Sequence, residues 1–285
     1  MPDIAAHIIA AGNEKARRLK DLLHAPEILV MPGAFNVISA LIFQHLGFKA
    51  IQGSSAAIAN AAGFADLGVG RERTVFVMQQ IAAAVDLPVN ADGEAGFGGP
   101  EDVRETVRQF VAAGVVGMNM EDGVHEEGKV SLLPLEEHME KIAAFIDERE
   151  KLGSEFCLNA RTDAFLVLRD DPDAALKEAV RRGQAFAEAG AECVFTWGTR
   201  DPEAIRTFAK EVPAPVSVIF PPGFTVEQLQ ELGVARVSYG SMFLYAAASE
   251  LKRFAEEVLT QGTTTSLEGG LTRQEMMDIL GGRQG

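Results

Sequence analysis

Four short stretches of this 285-residue chain bring together residue types that could do chemistry. They are Gly53-Ser54-Ser55, Asp92-Gly93-Glu94, Glu121-Asp122 and Arg161-Thr162-Asp163, and each follows a short apolar run. Carboxylates that converge without His or Cys suit a hard divalent cation. Mg²⁺ takes one or two carboxylates, keeps several waters and leaves positions for substrate oxygens. Asp92, Glu94 and Glu121 match that pattern. Arg161 offers a planar fork that fits a carboxylate; the alternative is an ion pair with one of the neighbouring acids. The Gly53-Ser54-Ser55 turn would present N–H groups and hydroxyls to an anion.

These residues converge only if the chain brings the ends of its apolar runs together. Eight strand candidates recur along the chain: 28–31, 49–52, 87–92, 115–120, 155–160, 192–195, 214–220 and 235–238. The segments between them carry helix-start signals. Pro100, Pro172 and Pro202 fall at first helical positions with acids beside them, and Gly47, Gly114, Gly190 and Gly233 fall where left-handed caps are needed. Eight βα units predict an α/β fold, a (β/α)8 barrel of the TIM type, over residues 1–260; a doubly wound sheet is the runner-up. Residues 261–285 read as a C-terminal tail: a polar, Gly-rich loop, then a short amphipathic helix begun by a Thr, docked on this chain or on a neighbouring subunit. A barrel places its active site at the C-terminal strand ends, where the charged residues lie. Side chains alternate along a strand, so Asn90, Asn119 and Asn159 would sit one layer below Asp92, Glu121 and Arg161 and orient them.

Composition narrows the partners. The formal net charge of −15 argues against nucleic acid. With 47% hydrophobic and 24% charged residues, and no apolar run near the length of a membrane span, the expectation is a globular chain away from membranes. Cys157 and Cys193 lie in apolar runs and form no ligand or disulfide pattern, which predicts a reducing, cytoplasmic setting. The first residues have no basic region before their apolar stretch and so make no clear secretory signal.

The segment PVNADGEAGFGG (88–99) resembles the Asp-x-Asp-x-Gly-[Tyr/Phe]-Gly signature of the isocitrate lyase/phosphoenolpyruvate mutase superfamily, with Glu94 at its second acid. Met120-Glu121-Asp122, Asn159-Ala160-Arg161-Thr162-Asp163, Gly53-Ser54 and Asp66 in GFADLGVG (63–70) extend the match, which runs from about Met31 to Leu259. The resemblance implies a barrel whose last helix is swapped between subunits, in a homo-oligomer (dimer or tetramer). It implies Mg²⁺, with Mn²⁺ as the alternative, held by Asp92 directly and by Glu94, Glu121 and Asp66 largely through water. It implies a small-molecule 2-oxo acid substrate, its carboxylate gripped by Arg161 and its other oxygens held by Ser54 with the N–H groups of Ser55 and Ala56. The implied chemistry makes or breaks a bond at C3 through a metal-stabilised enolpyruvate-like intermediate, with Arg161, Glu121 and Ser54 as catalytic residues.

The departures narrow the reaction. The superfamily's lyases carry a Lys-Lys/Arg-Cys-Gly-His loop after strand four. Here that stretch reads GVHEEGKVSLLP (123–134), without a Cys, and leaves His125 and Lys129 as replacement candidates. Strands six and seven end in Thr196-Trp197 and Val218-Ile219-Phe220, so Trp197 is expected to line the substrate pocket and the distal group to be apolar or small. Carbon–carbon lyase activity is the expectation, with decarboxylation as a form that needs no Cys. The rival readings are carbon–phosphorus chemistry of the phosphonopyruvate type, a barrel that binds metal and 2-oxo acid without turnover, and a mainly structural oligomer.

Overall fold

The computed structural model describes residues 4–126 and 128–281. The strands are β1 (Leu29–Met31), β2 (Gly33–Ala34), β3 (Ile51–Gly53), β4 (Val89–Asp92), β5 (Gly117–Glu121), β6 (Gly123–Glu126), β7 (Lys129–Leu132), β8 (Cys157–Thr162), β9 (Cys193–Thr196), β10 (Val216–Ile219) and β11 (Arg236–Ser238). Nine of them form one parallel sheet in the order β2-β3-β4-β5-β8-β9-β10-β11-β1. β1 and β2 are two halves of one strand either side of Pro32. β1 pairs with β11 (Leu29 beside Arg236) and β2 with β3 (Gly33 beside Gln52), so the sheet closes on itself. This is the (β/α)8 barrel expected from the sequence, and each of the eight strand candidates supplies one staves' worth of it. The hairpin β6–β7, antiparallel and outside the barrel, was not foreseen.

The helices are α1 (Ala6–Leu23), α2 (Val37–His45), α3 (Ser55–Ala61), α4 (Gly70–Ala84), α5 (Pro100–Ala112), α6 (Leu135–Lys151), α7 (Ala164–Val167), α8 (Pro172–Glu188), α9 (Pro202–Glu211), α10 (Val226–Glu231), α11 (Met242–Gln261) and α12 (Arg273–Ile279). The three start prolines open α5, α8 and α9. Asp171 and Asp201 accept from Ala174 N–H and Glu203 N–H, which gives two leading donors a partner. α5 buries Val103, Val107, Phe110 and Val111, spaced at helical period against the sheet. Burying Phe110 contributes about 1.5–3 kcal/mol. Gly47 and Gly233 end their helices at φ +88° and +91°, which only glycine adopts without cost.

α1 closes the barrel floor. Its Ala16, Leu19 and Leu23 pack with Leu29, Ala50, Val116, Cys157 and Cys193 at the strand starts. Both cysteines are free and buried there. At the other end of the chain, α11 buries none of its residues and leaves Tyr245, Leu251 and Leu259 exposed. α12 opens with a reciprocal cap between Thr272 and Glu275, touches α2, and buries Ile279 against the main core of its own chain. Among the described residues no helix is long and apolar enough to cross a membrane.

Candidate active site

Strand register sets which side chains meet. Glu121 lies beside Arg161, and Asn119 beside Asn159. Asp92, however, lies beside Asn119, one side-chain layer below Glu121. The sequence expectation of three charged residues at one height is corrected here. Strands in a closed barrel are tilted and staggered, so equal distance from a strand end is not equal height.

Glu121 is ion-paired to Arg161 at 2.6 Å, and both are nearly buried. The Arg161 fork is taken by Asp163: Nε donates to Oδ1 at 2.7 Å and Nη2 to Oδ2 at 3.0 Å. Trp197 Nε1 donates to the same Oδ1 at 3.0 Å, and the indole lies 5.3 Å from the guanidinium carbon. The fork assigned to a substrate carboxylate is therefore engaged within the chain, and Nη1 is the edge nearest the mouth acids. Gly123, which opens β6, is required beside this group, because a Cβ there would collide with Asp163 Oδ2.

Ser55 binds Asp92 rather than standing free. Its Oγ donates to Asp92 Oδ2 at 3.0 Å and its N–H to the same atom at 3.3 Å. Ser54 Oγ caps α3 by accepting from Ala57 N–H, and Ala56 lies in the first turn of that helix. Glu94 has φ +48°, a left-handed backbone at a non-glycine residue. That conformation costs on the order of 1 kcal/mol, and it sits in the loop that carries a carboxylate toward Asp92. Glu94 N–H donates to Asp92 Oδ1 at 3.3 Å, and Glu94 Oε1 is buried without a hydrogen-bond partner. Asp66 is exposed, its Oδ1 accepting from Leu67 N–H, and its charge is felt by Glu94.

Three carboxylates, from Asp92, Glu121 and Asp163, thus share the Arg161 guanidinium, and Glu94 adds a fourth beside Asp92. The protonation balance records that excess. Burial, then Asp92 and Asp66, pushes Glu94 up to about 7. Burial pushes Glu121 up to about 8 although Arg161 opposes it; Asp163, Asp92 and Glu94 add to the rise. Burial also raises Asp92, against the pull of Arg161 and the Ser55 bonds. An all-oxygen acceptor set with surplus negative charge and an unsatisfied buried oxygen fits a hard divalent cation. Glu121, His125 and Asp163 also bring ligand atoms within 4.8 Å of one another. Arg161 and Trp197 already occupy the oxygens of Asp163, so Asp92, Glu94 and Glu121 suit a cation better.

The three asparagines do face the barrel interior, but they bind one another rather than the acids. Asn90 Nδ2 donates to Asn119 Oδ1 and Gln52 Oε1, both at 3.0 Å, and Asn159 Nδ2 to Asn119 Oδ1 at 2.7 Å. Arg236, 1% exposed, donates to Gln52 Oε1 and Asn119 Oδ1. The asparagines therefore do not orient the carboxylates by contact; Asn119 and Gln52 accept from a buried guanidinium, and Asn90 and Asn159 donate to those same acceptors. Alternation along each strand signalled the asparagines. Nothing local signalled that Arg236, at the start of β11, would reach them.

The family model described as phosphoenolpyruvate phosphomutase matches residues 19–259. The chain belongs to the isocitrate lyase/phosphoenolpyruvate mutase superfamily. It is 30% identical to a 2-methylisocitrate lyase of Aeropyrum pernix over 92% of this chain and 86% of that one. Its fold matches oxaloacetate acetylhydrolase in complex with the product oxalate with a TM-score of 0.85 and 25% identity, over 95% of this chain and 94% of that one. It matches phosphonopyruvate hydrolase in complex with oxalate and Mg²⁺ with a TM-score of 0.83 and 27% identity, over 94% and 95%. Among these relatives one is named as a lyase and another as a phosphonopyruvate hydrolase.

Where superfamily lyases carry their Cys loop, this member has the β6–β7 hairpin. His125 on β6 places Nε2 3.7 Å from Glu121 Oε1, whereas Lys129 on β7 is exposed. Beneath the hairpin is a pair that motif reading did not assign. Asp122, fully buried, accepts from Asp163 N–H at 2.8 Å and from Arg182 Nη1 at 3.0 Å. Arg182 comes from α8, 60 residues away, so no spacing rule links it to Asp122.

Proposed function

We propose that the protein is a Mg²⁺-dependent carbon–carbon lyase that makes or breaks a bond at C3 of a 2-oxo acid, or cleaves a 2-hydroxy acid to one. The observation that carries this reading is the surplus of buried carboxylates around Arg161, with Glu94 Oε1 unsatisfied. Asp92, Glu94 and Glu121 would hold the cation and Asp66 would support it through water, with Mn²⁺ as an alternative ion. When bound, the cation supplies Lewis acidity to the 2-oxo and carboxylate oxygens of the substrate.

The chain's own groups do the rest. Asp163 and Trp197 fix the guanidinium plane of Arg161. Its Nη1 would take a substrate carboxylate in competition with Glu121. Ser54 and the N–H of Ala56, beside Asp92 at the end of β3, would bind the remaining oxygen, with Ser55 reaching it only by giving up Asp92. Donors fixed in a buried mouth stabilise charge developing on oxygen without having to reorganise. His125 is assigned the proton transfer at carbon that a loop Cys performs in superfamily lyases. The uncovered apolar residues of α11 support a homo-oligomer.

Calorimetric titration of oxalate, a planar mimic of the enolate of pyruvate, tests the site. Binding that requires Mg²⁺ is expected, followed by turnover of at least one 2-oxo or 2-hydroxy acid, decarboxylation products included. No oxalate binding with or without Mg²⁺ would overturn the reading. Mg²⁺-dependent binding without turnover of any such acid would leave a binding barrel instead.

A further inference from the structure

A cavity adjoins the site at Trp197. It has a volume of about 390 Å³ and lies over the C-terminal ends of β8, β9 and β10. Its floor is apolar: Phe165, Trp197, Ile219, Phe220 and Pro221. Phe220 is held by a parallel stack on Tyr239, with centroids 5.1 Å apart. The wall between the β9 and β8 loops is fixed by Gly198. At φ +103° it brings its backbone so close to Leu166 that a Cβ would lie 3.0 Å from Leu166 N. The cavity is thus built from packed elements and does not need a ligand to form.

Its charge is the unusual feature. The whole chain carries −15, yet no acidic residue lines this cavity, and its two charged lining residues are Arg169 and Arg200. Arg169 lies in the loop between α7 and α8 and Arg200 in the loop between β9 and α9. Both are exposed, and neither makes a hydrogen bond or ion pair with the described residues. Of the acids near them in sequence, Asp171 and Asp201 serve as helix caps, and Asp170, directly beside Arg169, forms no ion pair with it. By contrast, the arginines around the site and on α5 and α8 each have a carboxylate partner. Two unpaired guanidiniums at the rim of an apolar cavity, in a chain with an excess of acids, suit the far end of an amphipathic anion.

We propose that this cavity is the subsite for the distal part of the substrate, and that it selects acids with an apolar segment beyond C3 ending in a second anionic group. The inference rests on the lyase reading above and adds the substrate class. It also revises the expectation drawn from Thr196-Trp197 and Val218-Ile219-Phe220. Those strand ends are apolar, but the loops beyond them supply cations that a distal carboxylate can meet at the rim without full desolvation.

Trp197 is the single tryptophan of the chain and borders both this cavity and Arg161, so its fluorescence reports ligand binding. The probes are unbranched 2-oxo acids of five to seven carbons in matched pairs, one ending in carboxylate and one in methyl, titrated with Mg²⁺ present. At one or more chain lengths the dicarboxylate is expected to bind at least tenfold more tightly than its methyl-ended counterpart. That ratio should fall below threefold in the double variant Arg169→Gln/Arg200→Gln. It should also shrink in wild type at high salt, because the guanidiniums are solvent-exposed. The ratio compares two ligands on one protein, so a partial loss of folding does not mimic the effect. A wild-type ratio near one at every length, or a ratio unchanged in the double variant, overturns the subsite. Oxalate titrated in parallel separates the two levels. Binding of oxalate without discrimination refutes the subsite alone, whereas failure to bind oxalate refutes the lyase reading and the subsite with it.

Discussion

Replacing Arg182 by Met should destabilise the protein in a pH-dependent way, and the size of the effect follows from Asp122. In the wild type, burial pushes Asp122 up to about 6, with Arg182 and the Asp163 N–H holding it from rising further. A carboxyl whose folded pKa exceeds its unfolded value near 4 stabilises the fold at low pH, and that contribution is lost as pH rises through the folded pKa. With Arg182 present, the loss stops near pH 6. Without it, the buried carboxyl stays protonated to higher pH and the loss continues. If Asp122 in the variant titrates at or above pH 8, the extra cost at pH 8 is about 2 pKa units, or roughly 3 kcal/mol. The lost hydrogen bond adds about 1 kcal/mol at any pH. The expected destabilisation is therefore about 4 kcal/mol at pH 8, within the range for breaking a buried ion pair, and about 1 kcal/mol at pH 5. Urea denaturation of wild type and variant at the two pH values measures it, and titrations shared by both proteins cancel in the difference. The pH dependence should vanish in Arg182→Met/Asp122→Asn, where no carboxyl remains to titrate. An equal loss at both pH values, or a pH dependence that survives in the double variant, would refute the reasoning.

Three further outcomes are expected. His138 is buried against Phe186 with neither ring nitrogen hydrogen-bonded, and burial pushes it down to about 3. Its contribution to stability is present above the unfolded value of 6.5 and is lost as pH falls toward 3, about 2 kcal/mol of it by pH 5; His138→Leu should show a shallower decline in urea midpoint from pH 6.5 to 5, and equal slopes would count against the account. Gly123→Ala forces Asp163 away from Arg161, so oxalate affinity should fall by about tenfold or more, a loss of roughly 1.4 kcal/mol; unchanged affinity would show that the Asp163 contact does not position the arginine. His125→Asn should lower kcat about 100-fold, the range for a lost general acid or base, while KM stays within about threefold; an equal fall in kcat/KM caused by KM alone would assign His125 to binding instead.

The alternation of apolar runs with capped helices was enough to specify eight βα units, because strand length, Pro at helix starts and Gly at helix ends are local properties of the chain; closure into a barrel rather than a doubly wound sheet came with the pairing of β1 with β11 and β2 with β3. The chemistry-bearing residues were legible for the same reason: barrel active sites lie at strand ends, and Asp92, Glu94, Glu121 and Arg161 stand there in sequence. Alternation likewise put Asn90, Asn119 and Asn159 inside. What those side chains touch was decided by tertiary structure. Stagger of the closed sheet set Asp92 one layer below Glu121. Asp163 took the Arg161 fork and Ser55 took Asp92, although both look free on a list of motifs. Arg236 reached the asparagines from the last strand, and Arg182 reached Asp122 from α8. Arg169 and Arg200 became the rim of one cavity although separate loops carry them. A charge buried in a barrel takes whichever partner the closed sheet brings within hydrogen-bond reach. That partner can come from anywhere in the chain, so no local pattern records it.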